Sequence, residues 1–136
     1  MKLALITDIH ANREAFEACL DEARRLGADR YAFLGDFVGY GADPAWVVDR
    51  VRALVADGAI PARGNHDEAV VRGVRESMNS DAQHVVEWTR GQLDDGQLDF
   101  LSRLPYAMER HNSLFVHANA YAPQAWEYVT GRSEAV

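Results

Sequence analysis

The stretch Lys2-Leu3-Ala4-Leu5-Ile6-Thr7-Asp8-Ile9-His10 decides how the chain is read: an apolar run breaks at once into an acid and an imidazole. So short an apolar run reads as a buried strand, since a signal h-region or a membrane span needs more residues. The same pattern returns twice. Arg30 to Leu34 runs into Gly35-Asp36, and Ala59 to Arg63 runs into Gly64-Asn65-His66-Asp67. Helical patterns lie between these runs. Asn12 can cap a helix in which Phe16, Cys19, Leu20 and Ala23 recur at helical spacing, with Gly27 as its stop. Asp43-Pro44 is an N-cap followed by proline at the first helical position; Val47, Val51, Leu54 and Val55 form the apolar face, and Gly58 closes it. This β-α-β-α-β order predicts parallel strands joined by right-handed crossovers.

Downstream the pattern changes. Asp81 reads as the cap of a helix bearing Val85, Val86, Trp88 and Thr89, and a shorter helix carries Leu98, Leu101 and Leu104. Tyr106 to Arg110 and Leu114 to Ala118 read as an antiparallel hairpin around His111-Asn112-Ser113, and Gln124 to Val129 as a final helix. The expected class is α/β, with a β-α-β-α-β start, a helical middle and a β-hairpin near the end. The 136 residues fit one domain, and no repeat or low-complexity linker divides them.

Composition narrows the partners. Apolar residues make up 48% and charged residues 26%, ordinary globular values. A net charge of −7 repels polyanions and argues against nucleic acid as a stable partner, although bound divalent cations would reverse the local sign. Cys19 is the single cysteine, so no intrachain disulfide forms. With no membrane-length apolar run, a reducing, cytoplasmic location and no membrane partner are expected.

The polar clusters all follow apolar strands, where open α/β sheets gather their ligands. They are Asp8-Ile9-His10, Gly35-Asp36, Gly64-Asn65-His66-Asp67 and Val116-His117. Carboxylate, imidazole and amide oxygen together suit Mn, Fe, Zn or a similar divalent ion, and the lack of a nearby thiolate argues against a structural zinc site. A carboxylate such as Asp36 can bridge two ions, and two ions can bind phosphate oxygens, acidify a water and stabilise an in-line displacement. Gly35, Gly39, Gly41 and Gly64 permit the tight turns and close backbone approach that such a site requires.

Asp8-x-His10, Gly35-Asp36-Phe37-Val38-Gly39-Tyr40-Gly41, Gly64-Asn65-His66-Asp67 and Val116-His117 resemble, in order and spacing, the first four sequence blocks of the calcineurin-like metallophosphoesterase superfamily. The resemblance implies a partial metallophosphoesterase β-sandwich flanked by helices. It further implies a dinuclear centre with two divalent metal ions (Mn favoured, with Fe, Zn or Ni as alternatives) and a metal-activated hydroxide. Asp8 and His10 would hold the first metal, Asp36 would bridge, and Asn65 and His117 would hold the second. His66 would serve the phosphate or the leaving alkoxide as a catalytic group, with Asp67 orienting its ring. Asn12 and Arg63 would contact substrate phosphate. Gly39-Tyr40 and Asp67 stand where protein Ser/Thr phosphatases resemble Asp-Arg and Glu, which points to a small phosphoester, most of all a phosphodiester, as substrate.

Two departures qualify the resemblance. The fourth block ends His117-Ala118-Asn119 instead of His-Gly, and no Gly-His-x-His block occurs before Val136. The expectation is a single metallophosphoesterase domain over 1–136 that lacks the usual carboxyl-terminal part. Such a chain is either a working hydrolase or a silent metal-binding remnant, or a module completed by another chain; an exposed sheet edge would favour homo-oligomers. A Rossmann-like nucleotide or sugar domain is set aside for want of a glycine-rich phosphate loop.

Plainer readings stand beside these. Asn65 and His66 could mark only a capped helix start, and His117 a core histidine. Gly39-Tyr40-Gly41 reads as a structural turn with Tyr40 lining the cavity. Cys19 reads as core, His84 and His111 as surface residues, and Trp46, Trp88 and Trp126 as packing.

Overall fold

The computed structural model describes residues 1–73 and 79–134. Strands β1 (Leu3–Ile6), β2 (Arg30–Phe33) and β3 (Ile60–Pro61) form a parallel sheet in the order β1-β2-β3, with Leu3 opposite Arg30 and Phe33 opposite Pro61. Helices α1 (Arg13–Arg25) and α2 (Pro44–Ala56) make the two crossovers. α3 (Asn65–Arg72), α4 (Ser80–Gly91) and α5 (Asp95–Ser102) follow, and β4 (Ala107–Arg110) pairs antiparallel with β5 (Ser113–Val116). The mixed α/β class, the β-α-β-α-β start and the late antiparallel hairpin match the sequence reading.

Local chemistry explains most of the boundaries. Asn12 Oδ1 accepts the Ala15 N–H at 3.0 Å and starts α1, which carries Glu14 in its first turn and Arg24 and Arg25 in its last, each sign complementing the helix dipole. Asp94 and Gln97 cap α5 reciprocally, each side chain accepting the other's backbone N–H. Proline shortens β3: Pro61 has no N–H to donate and suits an edge strand. The hairpin turn is His111-Asn112, both left-handed at φ 51° and 61°, as a two-residue connection between twisted strands requires.

Four expectations are corrected. α4 is capped by Asn79, whose side chain accepts from Ala82 N–H, while Asp81 lies within the first turn. α3, weighed only as a plain alternative, is present and begins at Asn65. Gln124 to Val129 is not helical: Trp126 is left-handed at φ 59°, and Asn119 captures the Glu127 carbonyl and the Ala122 N–H, folding the stretch back as a loop. Cys19 is exposed rather than core.

The core is formed by Phe16 and Leu20 of α1, Phe33 of β2, Val47, Val48 and Val51 of α2, Phe37 and Val38, then Val70, Val86 and Leu101 from the later helices. Gln97 Nε2 donates to the Ala45 carbonyl and ties α5 to α2. Burial of this kind is worth about 1.5–3 kcal/mol per large apolar side chain, enough to hold three short strands that could not stand alone. β1 is less covered. Leu5 remains 60% exposed, and with Cys19, Ala23 and Leu26 it borders an apolar cleft of about 470 Å³ on the open side of the strand. Among the described residues no helix is long and apolar enough to cross a membrane.

Candidate metal centre

The carboxyl ends of the three parallel strands deliver three loops to one place. Asp8 N–H donates to the Gly35 carbonyl, His10 N–H to Asp36 and Ala11 N–H to Phe37, so the first two loops continue the sheet beyond its strands. Asp8, His10, Ala11, Asp36 and Tyr40 all have positive φ between 47° and 66°. Non-glycine residues pay for that conformation, and their concentration here marks a strained, functionally constrained rim. Gly64 shows how tight the approach is: a Cβ there would lie 2.1 Å from Asp36 Oδ1 and 2.2 Å from Asp36 N.

The loops present a compact set of donors. Among the described residues, His10, Asp36 and His66 form one group able to hold a cation, and Asp8, Asp36 and His117 another; Asp36 belongs to both. His10 Nε2 lies 3.6 Å from Asp8 Oδ1 and 3.8 Å from Asp36 Oδ2. His117 Nε2 lies 3.5 Å from the same Asp36 oxygen and 3.2 Å from Asn65 Oδ1. Asp36 is buried, and its other oxygen accepts the His66 N–H at 2.9 Å.

The imidazoles of His10 and His117 each have their tautomer set from behind. His10 Nδ1 meets the Val38 carbonyl at 3.2 Å and His117 Nδ1 meets the Leu34 carbonyl at 2.7 Å. A carbonyl can only accept, so Nδ1 carries the proton, and in the neutral ring Nε2 presents a lone pair. With both rings neutral, these lone pairs face carboxylate and amide oxygens, acceptors toward acceptors. A divalent cation satisfies such an arrangement, and the donor set fits it. The sequence pointed to His117 but not to the carbonyls that orient the two rings.

His66 opens α3 beside this cluster, its ring 4.9 Å from that of His10. Burial holds its imidazole below the ordinary value; His10 and His117 add to the lowering, while Asp36 and Asp8 oppose it. The geometry also places His66 among potential ligands, a role the sequence reading did not assign to it.

Asp67 is not where the His-Asp adjacency suggested. Its carboxylate is fully buried and accepts from the backbone N–H groups of Asp36, Phe37, Val38 and Gly64 at 2.9–3.3 Å. The first turn of α3 aims it back into the Asp36 loop, so it braces that loop instead of the His66 ring. Burial, then the Asp36 charge, pushes its carboxyl up to about 7 against the pull of the backbone donors.

Arg63 is likewise engaged elsewhere. It is buried, stacked over Tyr106 at 4.7 Å, and donates to the Ser102 carbonyl and the Tyr106 hydroxyl; this commits the guanidinium to packing rather than to phosphate. Asn12 is exposed, with its amide oxygen spent on capping α1. Tyr128 had no signal in the sequence: its hydroxyl donates to Asn65 Oδ1 at 2.9 Å, and its ring lies 6.3 Å from His117.

Comparison with known proteins bears on the family and the fold. The family model described as calcineurin-like phosphoesterase matches residues 1–132. An uncharacterized protein of Methanocaldococcus jannaschii is 35% identical over 134 residues, covering 93% of this chain and 53% of that protein. The crystal structure of a metallophosphoesterase from Sphaerobacter thermophilus is 37% identical with a TM-score of 0.80, covering 95% of this chain and 51% of that one. A hypothetical protein from Pyrococcus horikoshii OT3, 20% identical with a TM-score of 0.68 over 78% of this chain and 48% of its own, shares the fold. The chain thus spans about half the length of the relatives it matches.

Proposed function

The chain belongs to the calcineurin-like phosphoesterase family, and from that premise we propose that its strand-end cluster is the hydrolytic centre of a phosphodiesterase that uses two divalent cations, Mn²⁺ foremost. The observation that carries the proposal is the set of acceptors facing acceptors around Asp36 Oδ2, with His10 Nε2 on one side at 3.8 Å and His117 Nε2 on the other at 3.5 Å.

Asp8, His10, Asp36, Asn65 and His117 would hold the ions, Asp36 serving both groups. Bound cations would supply Lewis-acid stabilisation of the phosphoryl oxygens and an acidified water. The chain's own residues contribute orientation and proton handling. Asp67 fixes the backbone at residues 36–38, so the Asp36 carboxylate is held in place before substrate arrives. His66, whose imidazole burial holds below its ordinary value, is suited to donate an N–H to a phosphate oxygen or, when protonated, to hand a proton to the leaving alkoxide.

The test is turnover of bis(4-nitrophenyl) phosphate with Mn²⁺, with EDTA, and by Asp36→Asn. Metal-dependent hydrolysis that falls by about a hundredfold or more in the variant is expected. Undiminished turnover by Asp36→Asn would sink the bridging role.

The open side of β1, with Leu5 exposed over an apolar cleft, favours a second reading in which the chain holds metal but turns over only when further polypeptide completes it. A folded, metal-loaded and inactive sample would decide for that reading.

A further inference from the structure

We propose that Tyr40 is a specificity-determining residue, the face on which the base of a nucleoside phosphoester stacks while its phosphate lies at the metal centre. This rests on the phosphoesterase reading above and adds to it a class of substrate.

Tyr40 is the part of the site rim that packing does not explain. It is 69% exposed and takes no part in the hydrophobic core, yet its backbone is held in the left-handed region at φ 66°. A bulky residue is a costly choice for that position if it serves only as a turn. Its neighbours show why the turn cannot relax. A Cβ at Gly39 would lie 2.7 Å from His66 Nδ1, and one at Gly41 would lie 2.2 Å from the His10 carbonyl oxygen. Gly41 N–H also donates to that carbonyl at 2.9 Å. The Gly-Tyr-Gly turn is therefore seated against both imidazole residues, and the tyrosine is the one side chain in it that can project.

The ring rests against the site at its edge. Its centroid is 4.9 Å from that of His10 and 4.7 Å from that of His66, with interplanar angles of 62° and 55°. At 69% exposure, much of the side chain stays open to solvent directly beside both imidazoles. A bare aromatic face in that position rewards a planar π-system and gives little to an alkyl group. Tyr128, the other exposed tyrosine nearby, is tethered by its hydroxyl to Asn65 Oδ1. Stacking of a base on such a platform is sequence-tolerant and worth about tenfold in affinity.

Equilibrium binding separates this role from catalysis. Isothermal titration of the Mn²⁺-loaded protein with AMP and with ribose 5-phosphate compares ligands that share phosphate and sugar and differ in the base. AMP is expected to bind about tenfold tighter. That ratio should fall to within about twofold in Tyr40→Ala and survive in Tyr40→Phe and Tyr40→Trp, which keep the ring and control for folding. A ratio near one in the unaltered protein, or an undiminished ratio in Tyr40→Ala, would overturn the proposal. Mn²⁺-dependent binding of ribose 5-phosphate with no gain for AMP would remove the stacking face and leave the phosphoesterase reading intact. Failure of both ligands to bind, with bis(4-nitrophenyl) phosphate also untouched, would remove both.

Discussion

The loops at the carboxyl ends of β1, β2 and β3 and the stretch from His117 to Glu134 meet at the same cluster, but they are held by different forces. The loops are bound through their backbone: Asp8, His10 and Ala11 donate to carbonyls of residues 35–37, and the buried Asp67 gathers the N–H groups of Asp36, Phe37, Val38 and Gly64. The carboxyl-terminal stretch is held mainly by short-range and exposed contacts, Tyr121 to Glu127 and Glu134 to Thr130 and Gly131 among them. Its firm contribution is His117, and that ring is itself anchored by the Leu34 carbonyl of the second loop. The difference teaches where preorganisation resides. The geometry of the donor cluster is stored in the strand-end loops, and the later stretch lies over it.

The strongest way to break that contrast is to force the loops apart. In Gly64→Ala the new methyl would meet Asp36 Oδ1 and the Asp36 backbone nitrogen, neither of which can retreat without moving the Asp36 carboxylate. A loss of about 3 kcal/mol or more in urea unfolding is expected, together with loss of tight Mn²⁺ binding in calorimetry. Wild-type affinity in this variant would mean that the loops yield easily, and the contrast would disappear.

Next in size is Asp67→Ala. Removing the carboxylate leaves four buried N–H groups without their acceptor, those of Asp36, Phe37, Val38 and Gly64, for an expected loss of about 2–3 kcal/mol. Mn²⁺ affinity should fall by about 10- to 100-fold although Asp67 is itself assigned no metal. A stability loss with unchanged affinity would make Asp67 a core residue only.

The same carboxyl gives a smaller, pH-dependent effect. In the metal-free fold Asp67 is pushed up to about 7 from an ordinary 3.8, burial being the first cause and the Asp36 charge the second. The unfolded chain therefore gives up this proton near pH 4 while the folded chain keeps it to about pH 7, so the Asp67 contribution to stability is full below the lower value and declines as pH rises to the upper. Unfolding midpoints of wild type minus Asp67→Asn, measured from pH 4 to 8 without metal, should fall across that window. Mn²⁺ should flatten the slope, because cations on Asp36 offset the charge that raises Asp67.

Much of this architecture was legible in the sequence, because strand-end ligands and glycine spacing are local properties. Asp8, His10, Asp36, Asn65, His66 and His117 each follow an apolar run and do converge. Legibility failed where a side chain's partner came from another element. Adjacency in sequence suggested that Asp67 serves His66, whereas the first turn of α3 sends its carboxylate to residues 36–38. Arg63 looked free beside a ligand block, but Tyr106 and Ser102, from the distant end of α5 and beyond, claim it. Cys19 lies on the correct periodic stripe of α1, yet that flank meets the open side of β1 instead of the core. Gln124 to Val129 carried no tertiary signal that could reveal the Asn119 bonds which fold it as a loop.

The smallest expected effect sharpens the contrast most. Tyr128 is 55% exposed, and its hydroxyl donates to Asn65 Oδ1, the oxygen proposed to hold a cation. An exposed hydrogen bond of this kind contributes about 0.5 kcal/mol, so Tyr128→Phe should leave unfolding within that margin. If the carboxyl-terminal stretch only lies over a site built elsewhere, the phenol competes with metal for Asn65, and its removal should raise Mn²⁺ affinity by about two- to threefold. A fall in affinity would mean that the phenol holds Asn65 in its ligating pose. The stretch would then belong to the frame of the site, and preorganisation would have to be shared between the two regions.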